Sequence, residues 1–298
     1  MTESAKKNVI QPNPHSIQVV RDAGLISPNA TRRIGVVPVP IFVALIAIFD
    51  VILPTSVAAS VAFNPLLVFA TLQTLFLFGT AVVVAYISLK SYLSGGSRTI
   101  LLLGSGTLAW GFASMTAGWL LGPPGGPNVA VTISNSGALF ASLFYIASAL
   151  TTMSAGSSRD SKQRKPKLLL AYGGAVGFVA AVTVFALLGA IPAFFVPGAG
   201  STVLRQAIVA VGLFLFAASS ILFMRLYHDS RSGILFWYSM ALALTTIGLA
   251  AFYFGRTVGD PIAWTGRIAT YLGGIYSIIA IWSAVRGSHD SPVGLASA

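Results

Sequence analysis

Eight stretches of the chain run almost unbroken in apolar residues, approximately Val36–Ala59, Pro65–Leu89, Thr99–Leu121, Val129–Met153, Leu168–Ala190, Val203–Tyr227, Ile234–Phe254 and Ala263–Val285. Short segments between them collect the Gly, Pro, Ser and charged residues. A bilayer core takes about 20 apolar residues per helix, so each stretch is long enough to cross. None shows the strict alternation of a membrane barrel strand, and a lone segment in lipid must satisfy its own backbone hydrogen bonds. The pattern therefore predicts an all-α, polytopic integral membrane protein, an eight-transmembrane-helix bundle over residues 36–286. A polar cytoplasmic arm, 1–35, precedes it, with a short helix around Ser16–Ala23, and a short cytoplasmic tail, 287–298, follows.

Composition agrees and closes off several chemistries. Of 298 residues 55% are hydrophobic and only 8% charged, with a mean hydropathy of +0.83. No soluble domain of ordinary composition looks like this. Cysteine is absent, which removes disulfides and thiolate ligands. His15, His228 and His289 all lie in polar segments, leaving an intramembrane haem or metal without ligands. No cofactor and no metal site is expected. Neither paired carboxylates, HExxH, a Ser-His-Asp set nor a phosphate loop occurs, so the chain does not read as an enzyme.

The net charge of +11 is a matter of topology rather than of nucleic-acid binding, because the basic residues sit in short connections with no aromatic-interleaved domain around them. Fifteen of the eighteen Lys and Arg fall in the arm, the even-numbered connections and the tail; only Arg205, Arg256 and Arg267 fall on the other side. That asymmetry puts both termini in the cytoplasm of a multi-pass protein of the cell membrane. The basic connection Ser154–Lys167 is then expected near anionic headgroups. Asn29-Ala30-Thr31 matches a glycosylation acceptor but falls on the cytoplasmic side.

A shift of 133 positions overlays Gln73 on Gln206, Gly79 on Gly212, Arg98 on Arg231, Gly122 on Gly255, Gly126 on Gly259 and Thr132 on Thr265. This is the spacing of a 4+4 parallel repeat, two halves of four helices that both start inside.

Candidate chemistry gathers at the outer end. The stretch Gly255–Tyr276 places Arg256, Asp260 and Arg267 between two apolar runs, with Trp264 and Tyr271 on the helix face of Arg267. Asp50 late in the first helix, Asn135 in the outer half of the fourth and Arg205 at the start of the sixth reach the same depth. Two readings compete. The carboxylates and arginines clasp the outer end of the bundle, with Trp264 as an interface anchor; or they line a pocket for a small anionic or lipid-like ligand, since three arginines outnumber two carboxylates. Gly266, Thr270 and Gly274 form a small-residue stripe that lets a neighbouring helix approach closely.

Three segments, "PGAGSTVLRQAIVAVGLFLFAASSILF" (Pro197–Phe223), "FWYSMALALTTIGLAAFYFG" (Phe236–Gly255) and "GDPIAWTGRIATYLGGIYSIIA" (Gly259–Ala280), resemble the amino-terminal transmembrane modules of archaeal and bacterial multi-sensor histidine kinases. These belong to the membrane-associated sensor (MASE) class. The resemblance spans most of the eight-helix region. It is sharpest in the LRQ opening of the sixth helix and the W-x-G-R…YLGG run of the eighth. It implies reception of a stimulus in the membrane, passed on to cytoplasmic PAS and kinase domains, and brings no binding residues with it. Only about a dozen residues follow Arg286, so output is expected to pass through a separate cytoplasmic signalling protein. The alternative is a small-molecule transporter or channel, although the midplane offers chiefly Gln73 with scattered Ser and Thr, where transporters place ionisable or broken-helix sites.

Overall fold

A computed structural model describes residues 28–52, 63, 65–95, 97–123, 125–154, 164–196, 199–255 and 259–289. The expected helix at 16–23 and the tail beyond 289 lie outside these residues. The polar arm ends in a helix that sequence reading did not foresee, α1 (Pro28–Val36), in a first unit that ends at Val37.

The second unit, residues 38–298, is the bundle. Its first span is α2 (Pro38–Ile52). The second is one continuous rod in three parts: α3 (Leu66–Leu72), a π-helical stretch π1 (Gln73–Gly79) and α4 (Thr80–Gly95). Then follow α5 (Arg98–Trp119), α6 (Gly126–Met153) and α7 (Arg164–Leu187). A two-residue hairpin, β1 (Phe195–Val196) with β2 (Gly200–Ser201), precedes α8 (Val203–Ser230), α9 (Gly233–Phe254) and α10 (Pro261–His289). Among the described residues seven spans are long and apolar enough to cross a membrane, the first of them Arg32–Ile52, which ends with α2, and the last α9. α10, with 29 residues, is the eighth helix of the bundle. The fold is all-α and polytopic, and the hairpin is a small exception in a connection.

Helix packing has a two-fold pattern. Span two packs on α5, α5 on α6, α6 on α8, α8 on α9, α9 on α10, and α10 returns to span two, so six helices close a ring. The other two are peripheral and equivalent: α2 lies on α9 and α10, while α7 lies on α5 and α6. Burial repeats in step. The first three spans are 6, 39 and 67% buried, and the fifth to seventh 11, 33 and 72%. Each half thus lends its first helix to the third and fourth helices of the other half, and this swap holds the halves together.

Large side chains fill the ring at its basic end, the end of Lys90, Arg98 and Arg164. Tyr145, Phe216, Phe223 and Tyr238 are buried and in ring contact with one another. The Thr107 hydroxyl joins the Tyr238 hydroxyl at 2.8 Å and accepts from that of Tyr145 at 3.0 Å. At the other end, the hairpin end, the ring leaves a cavity.

The π stretch shapes the contacts beside it. A widened turn carries carbonyls outward, and such turns recur at functional sites. Here the Leu77 carbonyl faces Gly111 of α5, where a Cβ would sit 2.7 Å away, and the Phe76 carbonyl faces Gly274 of α10, at 2.6 Å. The Thr80 hydroxyl donates to both carbonyls, at 2.6 Å to Phe76 and 3.0 Å to Leu77. The small-residue stripe of α10 accordingly serves two neighbours. Gly266 and Thr270 meet Gly248 of α9, whereas Gly274 meets the second span.

Candidate functional site

The ring encloses a cavity of about 100 Å3 at the hairpin end. All six ring helices contribute, for example Gln73 of π1, Ser114 of α5, Asn135 of α6, Arg205 of α8, Phe252 of α9 and Arg267 of α10. Neither peripheral helix does. Gln73, Asn135 and Arg267 stand seven, nine and six residues into their helices. At about 1.5 Å rise per residue they lie about 9–14 Å below the hairpin-end helix starts. Below the cavity a smaller space of about 20 Å3 shares Leu77, Trp110 and Thr270 with it and reaches Thr107 and Tyr145.

Local structure places each cation. Thr202 is the N-cap of α8, and its hydroxyl accepts from the Arg205 amide at 3.3 Å, as N-cap side chains do. The Arg205 guanidinium donates from Nη1 to the Ser201 hydroxyl of the hairpin and from Nη2 to the Phe252 carbonyl at 3.0 Å. Asp260, fully buried, caps α10 by accepting from the Ala263 amide at 2.6 Å. About two turns on, the Arg267 guanidinium lies 4.5 Å from the Phe69 ring centroid and 4.9 Å from that of Trp264. These are cation–π distances, and Asp260 is near enough to act on the same charge.

The hairpin connection is tied down by side chains from the starts of two helices. Asn128, in the first turn of α6, accepts from the Phe194 and Phe195 amides at 2.8 and 3.0 Å, while the Thr202 hydroxyl donates to the Ala193 carbonyl at 2.9 Å. Gly200 supplies the left-handed φ of 86° that the hairpin requires. Phe195 and Ser201 thereby reach the cavity. Opposite, the Trp264 indole donates to the Phe63 carbonyl at 2.7 Å and the Phe63 amide to that of Gly259 at 2.9 Å, joining the start of the second span to that of the eighth.

Of the residues singled out from sequence, Arg205, Arg267 and Asn135 line the cavity. Asp260 stands behind Arg267 as the helix cap. Trp264 walls one side of the Arg267 guanidinium, and Tyr271 is buried and stacked on Phe76, with ring centroids 5.5 Å apart. Asp50 is exposed on peripheral α2 and does not line the cavity. Arg256 lies outside the described residues. Sequence reading missed Gln73, Ser114, Ser134, Trp110 and the hairpin residues as lining groups. Serines in apolar helices ordinarily bond their own backbone, and Ser134 does so, to the Val131 carbonyl at 3.2 Å; nothing in the chain sets such a serine apart.

The arrangement holds polar groups without partners. Among the described residues, Gln73 Oε1, Asn135 Nδ2, Arg205 Nε, Gln206 Oε1 and the Tyr271 hydroxyl are buried and make no hydrogen bond. Gln73 and Asn135 are 8% and 6% exposed. A buried polar group left unpaired costs about 1–3 kcal/mol, and three of these residues, Gln73, Asn135 and Arg205, line the one cavity, which is the composition of a site rather than of a core. Among the described residues no group of His, Asp or Glu could hold a metal.

A family model described as MASE3, membrane-associated sensor domain, matches residues 61–285. The chain therefore belongs to the MASE3 family of membrane-associated sensor domains. Neither the curated proteins nor the solved structures include a match.

Proposed function

We propose that this MASE3 chain is a membrane-embedded sensory input module that reads a small ligand in the ring cavity and hands its output to the cytoplasmic signalling machinery. The observation that carries the reading is the cluster of unpartnered buried amide and guanidinium groups around a cavity shared by both halves of the duplication. A ligand bridging them acts on the relative position of the halves. The π stretch supports a route outward, because it begins at Gln73 in the cavity wall and continues into α4, which runs to the basic end. There Arg164 of α7 donates to the Leu93 and Ser94 carbonyls, joining α4 to a second helix. The positive-inside distribution of Lys and Arg supports a cytoplasmic basic end. With no native cysteine, single cysteines at Ser94 and Ser230, both exposed, report on that end cleanly. Filling the cavity with Ala117→Phe is expected to change their thiol-labelling rates at least about twofold, as a population shift does. Ala180→Phe, on an exposed face of α7, is the control. Labelling rates unchanged by Ala117→Phe, or equally changed by both variants, would refute coupling between cavity and basic end.

A further inference from the structure

We propose that the cavity takes a short-chain monocarboxylate, its carboxylate held by Arg205 and Asn135 and its hydrocarbon lying against Leu77, Trp110 and Ala117. The proposal rests on the cavity being the sensory site and adds the chemistry of what is sensed. Charge comes first. Among the described residues Arg205 has no carboxylate within ion-pair distance; its two Nη atoms donate to a hydroxyl and a carbonyl, both neutral, and its Nε has no partner. A half-buried guanidinium with its Nε shut off from solvent and answered only by neutral acceptors is an incompletely compensated charge. Arg267, by contrast, has Asp260 acting on it. Two cations and one carboxylate leave a surplus of one positive charge, which a single negative charge on the ligand would cancel.

Hydrogen bonding points the same way. Asn135, 6% exposed and lining the cavity, has an unpartnered Nδ2, so it and Arg205 both need an acceptor. A planar carboxylate with two acceptor oxygens suits a guanidinium fork better than a point anion does. Leu77, Trp110 and Ala117 are apolar and buried, and an inorganic oxyanion would leave that wall against charge. Size sets the chain length. An apolar cavity of about 150 Å3 admits benzene, with about six heavy atoms, so by proportion the 100 Å3 here takes roughly four, the size of the smallest carboxylates. Acetate, propionate and butyrate bracket that size, and butyrate has the clearest division into head and tail.

The test is thermal unfolding of the protein in detergent with butyrate, with the isosteric neutral butyramide, and with chloride at matched ionic strength. A saturable rise in melting temperature with butyrate alone is expected. Arg205→Gln should weaken it about 10- to 100-fold, as loss of a charge-assisted hydrogen bond does, and Arg205→Lys should restore part of it. An equal rise with butyramide would overturn the carboxylate while leaving the cavity as the sensory site. An equal rise with chloride would overturn the hydrocarbon half of the assignment, and no rise with butyrate would overturn the ligand class. A butyrate effect that survives Ala117→Phe would place binding elsewhere and overturn the cavity reading as well. Should Arg205→Gln fail to fold, the wild-type comparison of butyrate with butyramide and the variant Asn135→Leu, which removes the second donor, still decide.

Discussion

Adding one methyl group at Gly274 and at Gly174 separates packing from every other effect of the substitution. Both glycines sit inside long helices, α10 and α7, so Gly→Ala brings the same intrinsic gain in helix propensity, about 1 kcal/mol. The surroundings differ. A Cβ on Gly274 would stand 2.6 Å from the Phe76 carbonyl oxygen and 3.0 Å from the Thr80 hydroxyl, whereas a Cβ on Gly174 meets nothing within 4 Å. The carbonyl cannot withdraw cheaply, because it belongs to π1 and already accepts from Thr80 at 2.6 Å. Overpacking of this kind costs about 1–3 kcal/mol. The propensity gain cancels in the comparison, so Gly274→Ala should be less stable than Gly174→Ala by that amount. Gly174→Ala itself should match or slightly exceed wild type. The assay is the half-life of the monodisperse protein in detergent at a fixed elevated temperature, supported by fluorescence-detected unfolding. Equal half-lives for the two variants, or a shorter one for Gly174→Ala, would refute the close contact between α10 and the second span.

Two further outcomes are expected. Single cysteines at Gly125 and Gly259 should label from outside the cell, and one at Ser154 only from the cytoplasm; labelling of Gly125 and Ser154 from the same side would break the alternation of the spans. Asp260→Ala removes the α10 cap, worth about 1 kcal/mol, and leaves the Arg267 charge less compensated, for a total of about 3–5 kcal/mol. Asp260→Asn keeps an N-cap oxygen and should melt higher than the alanine variant, and the reverse order would refute the capping role seen at the Ala263 amide.

The eight spans were legible because lipid imposes a length on every helix, and a run of apolar residues reports that length directly. Depth was legible to within about two turns for the same reason, and Arg205, Arg267 and Asn135 do line one cavity. Direction around each helix was not. In a soluble bundle a polar face marks the side turned to water, but here lipid and protein interior are both apolar, so Asp50 and Asn135 looked equivalent at equal depth. Only helix packing separates them. Asp50 rides on peripheral α2, and Asn135 on a ring helix. The hairpin Phe195–Ser201 escaped notice because two residues per strand make no pattern. The π stretch escaped because π1 has the same apolar composition as the helices it joins.

One surplus residue wound into a rod of 3.6 residues per turn sets everything beyond it about 100° out of phase. Across π1 that phase error falls between α3, which carries the cavity wall, and α4, which carries Tyr86, Lys90 and Tyr92. The azimuth at which those three side chains emerge is therefore governed by how the seven residues from Gln73 to Gly79 are wound. Moving the surplus by a turn costs no span length and displaces no helix axis; it re-aims a face. Deleting a single residue there would straighten the winding and rotate the far half of the rod against neighbours shaped for its present bearing.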